Sequence, residues 1–171
     1  MAGGVFNTLN HDYANPNKIN TYIASTQISI YNHNNRNLSL GTPLTTARFG
    51  HSASALADNK VVFIGGATTP FVEIYDVLDS TSTLLNNNNG ALIENRLFHT
   101  ATPYKNGQDE WTVLVAGGLQ FNLPSVVLNS AEIYVRDSHF SNTNTIVMAS
   151  ERVFHTATYL PNLNEIVLIG G

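Results

Sequence analysis

Cysteine is absent from this 171-residue chain, which excludes disulfides, zinc–thiolate sites and cysteine nucleophiles together. Charge is scarce as well, with Lys, Arg, Asp and Glu making up only 12% of the residues. The 8 basic side chains stand against 12 acidic ones and are scattered, so a phosphate backbone finds no electrostatic footprint and nucleic acid is not expected as a partner. No run approaches the roughly 18 to 20 consecutive apolar residues of a membrane span. The start lacks the charged and apolar regions of a signal peptide, so none is expected. Without a signal or a cysteine the compartment stays open, with the cytoplasm as the default. The sequon Asn37-Leu38-Ser39 matters only in a secreted protein. No stretch shows a helical period.

What the chain does have is repetition. Arg152-Val-Phe-His155-Thr-Ala-Thr leads through an apolar run to Gly170-Gly171, and Arg96-Leu-Phe-His99-Thr-Ala-Thr leads to Gly117-Gly118. Arg48-Phe-Gly-His51-Ser-Ala-Ser leads in the same way to Gly65-Gly66, and Gly3-Gly4 is the tail of a further copy. The arginine recurs after 48 and then 56 residues, a period near the ~50 of one class of β-repeat. Apolar residues at 43% suffice for a single core, and solubility falls to Asn, Ser and Thr. One repeat-built segment over 1–171 is expected, with units at about 1–47, 48–95, 96–151 and 152–171, the last partial.

Within each unit the alternation of residues 51–56 and the turn signal Asp58-Asn59 point to a hairpin into Val61–Ile64. That second strand is apolar on both faces and so must be covered on both. A third strand follows at Phe71–Asp76 and again at Ala131–Val135, with Thr81–Leu85 and Thr145–Met148 as outer strands. The stretches 5–26 and 119–127 read as connecting loops.

These features together resemble the kelch-repeat β-propeller. The residues that carry the likeness are Arg48 and His51, Arg96 and His99, Arg152 and His155, the glycine pairs, and the dipeptides Ile30-Tyr31, Ile74-Tyr75 and Ile133-Tyr134. The resemblance covers about residues 27–171 and implies an all-β fold of four-stranded blades. About three blades are present, fewer than the four to eight of a closed propeller, so an incomplete propeller or one closed by self-association is expected. The tryptophan usual on a kelch outer strand is missing from all three corresponding stretches.

The three motif histidines invite a metal or acid–base reading, but they occupy equivalent positions of different blades. A structural hydrogen bond from each to a neighbouring backbone is expected instead. Glu73 and Glu132 are a second repeated set; a structural ion pair with a motif arginine such as Arg96 or Arg152 is expected rather than a catalytic dyad. No Lys-Ser or Lys-Thr follows a glycine pair, so none of the pairs is a phosphate loop. Tyr31, Tyr75, Tyr134 and Trp111 are expected to pack in the blades.

No catalytic, cofactor or metal residue is expected, and the resemblance implies a protein or peptide partner, such as a cytoskeletal protein or a ubiquitin-ligase substrate. The adaptor reading requires a BTB domain, which these residues do not contain. The alternative is an inert portion of a carbohydrate-active or galactose oxidase-like propeller enzyme, whose tyrosine–cysteine cofactor a chain without cysteine cannot form. The candidate binding surface is the loop after Gly118, with Phe121, Leu123 and Pro124.

Overall fold

The computed structural model describes residues 6–7, 22–85, 90–120, 124–136, 139–140 and 145–171. Among them there is no helix; the fold is all-β and built on antiparallel four-stranded sheets. The first sheet runs in chain order through Ser52–Ala55, Lys60–Ile64, Val72–Asp76 and Thr81–Leu85. The second repeats it with Thr100–Lys105, Trp111–Ala116 and Ser130–Val135, and two short strands, His139–Phe140 and Ile146–Val147, share the fourth place. A leading hairpin pairs Ser29–Asn32 with Asn37–Leu40, and a final hairpin pairs Thr156–Leu160 with Glu165–Ile169.

Short polar turns set these registers. Asp58 and Asn59 both take left-handed φ, 58° and 59°, the geometry of a type I′ hairpin turn whose twist matches that of the strands. After the third strand, Asp76 Oδ1 accepts from the N–H groups of Leu78 and Asp79 at 3.0 and 3.2 Å, folding the chain back into Thr81. Asn106 Oδ1 does the same for Gln108 and Glu110 in the second sheet.

The apolar second strands of the two four-stranded sheets are covered on both faces, as their composition demands. Val62, Ile64 and Val72 of the first sheet form one core with Val113, Val115, Tyr134 and Phe140 of the second. Burial of each such side chain stabilises the pair of sheets by about 1.5–3 kcal/mol. The first strands lie side by side, Ser52–Ala55 against Thr100–Lys105 and that strand against Thr156–Leu160.

Three expectations change. The stretch 5–26 is not purely a loop, since Phe6–Asn7 pairs with Tyr22–Ile23. The stretch 119–127 also contains a ladder, Leu119–Gln120 against Val126–Val127. Two-residue strands are too short to display alternation in a sequence. Tyr31 is exposed whereas Tyr75 and Tyr134 are buried, because no sheet covers the leading hairpin on that side among the described residues.

Candidate functional site

The repeated arginines and glutamates meet inside their own sheets. Arg48 enters from the loop before the first sheet and donates through Nη1 to Gly65 O at 2.8 Å, and through Nη2 to Phe71 O at 3.0 Å and Glu73 Oε2 at 3.4 Å. Arg96 repeats this in the second sheet, donating to Gly117 O at 2.7 Å and to Glu132 Oε1 at 2.6 Å. Both pairs are shut off from solvent. Each carboxylate also accepts backbone N–H groups of the arginine's own loop, those of Thr45 and Thr46 at Glu73 and those of Ile93 and Glu94 at Glu132. The loop is thereby pinned over the third strand, and the buried charge is met by donors on every side. Burial pulls the Arg48 guanidinium below its ordinary value, and Glu73 opposes that pull. Arg152 donates to Gly170 O at 2.6 Å.

The histidines face their neighbours through hydroxyls. His99 Nε2 lies 2.8 Å from Ser52 Oγ, and His155 Nε2 lies 2.8 Å from Thr100 Oγ1, so each ring reaches the first strand of the preceding sheet. The hydroxyl is a partner beyond the backbone expected from sequence, and the Arg96 backbone also reaches the His99 ring; Ser52 itself donates to Ile64 O at 3.5 Å. His51 packs its ring against Phe63, 6.0 Å between centroids. Burial, followed by the nearby Arg96 charge, pushes His99 down to about 3 from an ordinary 6.5. His155 is lowered for the same leading reason, with Arg152 as the neighbouring cation.

A pH dependence follows. Between about 6.5 and 3 the unfolded chain binds a proton at residue 99 that the folded chain refuses, so stability is fully present above 6.5 and falls as the pH drops through that window. The urea midpoint is expected to fall more between pH ~7 and ~4 in the wild type than in His99→Gln, which cannot titrate. Equal losses in both proteins would contradict this assignment.

The glycine pairs sit beneath these groups. The Gly66 N–H donates to Arg96 O at 3.0 Å and the Gly118 N–H to Arg152 O at 2.7 Å, so the next unit's arginine loop rests on the preceding pair. Beside them, Gly50, Phe98 and Phe154, the residues before the three histidines, all take left-handed φ of 59°, 55° and 57°. Phe98 N donates to Gly50 O at 2.7 Å and Phe154 N to Phe98 O at 3.2 Å, and the two phenyl rings stack at 4.7 Å. That ladder holds two bulky residues in a conformation they otherwise disfavour.

Where the arginine loops meet the segments after the glycine pairs there is a cavity of about 330 Å³. Ala47, Phe49, Gly66, Thr68, Asn95 and Leu97 contribute to its wall. Asn95 Nδ2 donates to Thr68 O at 3.1 Å, while Asn95 Oδ1 is buried without a protein partner. No motif in the sequence marks this wall. The only signal for it is that the residue after each motif arginine is apolar, Phe49, Leu97 and Val153. Of the loop residues singled out instead, Phe121 and Leu123 lie outside the described residues, and Pro124 is exposed. Among the described residues no three His, Asp or Glu side chains are grouped so as to hold a metal ion, and no helix is long and apolar enough to cross a membrane. The sequence matches no protein-family model and no curated protein.

Proposed function

We propose that this chain is a kelch-type propeller segment that acts without catalysis, binding a protein or peptide on the face formed by its arginine loops and the segments after its glycine pairs. The observation that carries the reading is the cavity between Arg48's loop and Arg96's loop. At about 330 Å³ it lies at the small end of ligand sites, and its wall combines apolar side chains with one unused acceptor, Asn95 Oδ1. An apolar side chain of a partner, seated beside one of its own N–H donors, matches that wall. The propeller part is supported by two sheets of identical strand order sharing one core, and by first strands that lie side by side from unit to unit.

Peptides selected from a random library for binding to the chain supply the test. Ala67 also lines the cavity, so Ala67→Trp fills it, and binders are expected to lose at least about tenfold in affinity, a change of about 1.4 kcal/mol. The melting temperature should hold. Binders indifferent to Ala67→Trp would place recognition elsewhere and refute the assignment of this face.

A further inference from the structure

The turn joining Thr100–Lys105 to Trp111–Ala116 is organised by one side-chain amide. Asn106 Oδ1 accepts from the N–H groups of Gln108 at 2.9 Å and Glu110 at 3.0 Å, and Asn106 Nδ2 donates to Glu110 Oε2 at 3.0 Å. The backbone of Asn106 closes the same turn, its N–H donating to Glu110 O at 3.1 Å and its carbonyl accepting from the Asp109 N–H at 3.0 Å. Lys105 Nζ and Asp109 Oδ1 bridge the outside at 2.8 Å.

The residue after Asn106 is a glycine that this fold does not require. Among the described glycines Gly107 alone has neither a left-handed φ nor an atom within 4 Å of the place a Cβ would take. It is exposed, and among the described residues its N–H finds no acceptor. In an Asn-Gly pair the glycine nitrogen reaches the preceding side-chain carbonyl carbon readily, because no Cβ obstructs the approach.

We propose that Asn106 is a site of spontaneous deamidation, held in check by Glu110 for as long as the turn is closed. Gly107 N forms a bond to Asn106 Cγ, the Cγ–Nδ2 bond breaks, and Nδ2 leaves as ammonia with the proton of Gly107 N, carried across by water. Water then opens the cyclic imide at either carbonyl, giving aspartate or isoaspartate, and nothing is oxidised or reduced. The exposed Gly107 N–H can release its proton to solvent. The three hydrogen bonds on the amide oppose the step, because Cγ must turn to Gly107 and become tetrahedral while Nδ2 gives up Glu110. The reaction therefore belongs to the open turn. Its products do not reclose as before. Aspartate puts an oxygen where Nδ2 lies, 3.0 Å from Glu110 Oε2, with like charge against like charge. Isoaspartate adds an atom to the backbone beside the Lys105↔Trp111 pair and disturbs its register.

Prolonged incubation of the whole chain in mildly alkaline buffer supplies the test. Trypsin separates fragment 106–136 from fragment 61–96, which carries the other Asn-Gly pair, Asn89-Gly90. Mass spectrometry reads the amide-to-acid change at residue 106, and an isoaspartate-specific carboxyl methyltransferase labels the isomer. The change is expected at least about tenfold faster in denaturant than in the folded chain. Glu110→Ala should accelerate the folded reaction about two- to tenfold, the worth of one hydrogen bond. Gly107→Ala should suppress the reaction without moving the melting temperature, since its Cβ meets nothing. Asn106→Asp, which makes one product directly, should lower the melting temperature by about 2–4 °C. No change at residue 106 even in denaturant, equal rates in folded and unfolded chain, no acceleration by Glu110→Ala, an undiminished rate in Gly107→Ala, or an unshifted melting temperature for Asn106→Asp would each overturn the proposal. The ratio of folded to unfolded rates in the wild type decides it even if Glu110→Ala folds poorly.

Discussion

Glu132→Ala is expected to cost roughly 3–5 kcal/mol, the largest loss from any single side chain here, because it leaves the Arg96 guanidinium buried without its carboxylate. Against a total stability of about 5–15 kcal/mol that is a fifth or more of the whole. It also strips the Ile93 and Glu94 N–H groups of their acceptor, so the arginine loop loses its hold on the third strand. Urea unfolding is the measurement. Glu94→Ala is the control: its carboxylate lies 3.6 Å from the same Arg96 Nη2 but is a third exposed, and its loss should cost below ~1 kcal/mol. Replacing both members, Arg96→Met with Glu132→Leu, should recover much of the loss, since no unpaired charge then remains. Comparable costs for Glu132→Ala and Glu94→Ala would show that burial is not what gives the pair its importance.

Gly65→Ala comes next, with an expected cost of about 3 kcal/mol or more. At φ 66° an L side chain pays about 1–2 kcal/mol for the left-handed backbone, and the new Cβ also runs into the Arg96 carbonyl oxygen and, at 2.7 Å, His99 Cε1. Two other glycines separate these contributions. Gly170 has φ 78° but nothing within 4 Å of its Cβ position, so Gly170→Ala should show the backbone cost alone. Gly107 has neither constraint, and Gly107→Ala should be within about 0.5 kcal/mol of the wild type. Thermal melts that fail to rank Gly65 above Gly170 above Gly107 would contradict the packing described around the glycine pair.

Much of the architecture was legible because the repeat displays each determinant three times. Asp58-Asn59 announced its hairpin, and the two-sided apolar strands 61–64 and 111–116 announced burial on both faces. The pairing of each glutamate was less legible. Arg96 or Arg152 looked as good a partner as any, and only the folded path of residues 45–48 shows that Glu73 belongs to Arg48. The hydroxyl partners of the histidines were missed although a Ser or Thr follows every one of them, because the bond runs between units some 50 residues apart and neighbours in sequence do not reveal it. The cavity was missed for a similar reason. Its wall collects one or two residues from each of several loops, and no single stretch carries a signature.

The clamps that join each glycine pair to the next unit run one way along the chain. Gly65 and Gly66 end the second strand of the first sheet, yet the groups that close over them, the Arg96 carbonyl and the His99 ring, lie 30 or more residues further on. On a ribosome adding about 5–20 residues per second, the first sheet therefore waits several seconds after its own glycines emerge before it can lock. Assembly is vectorial, each unit held provisional until the next has been translated.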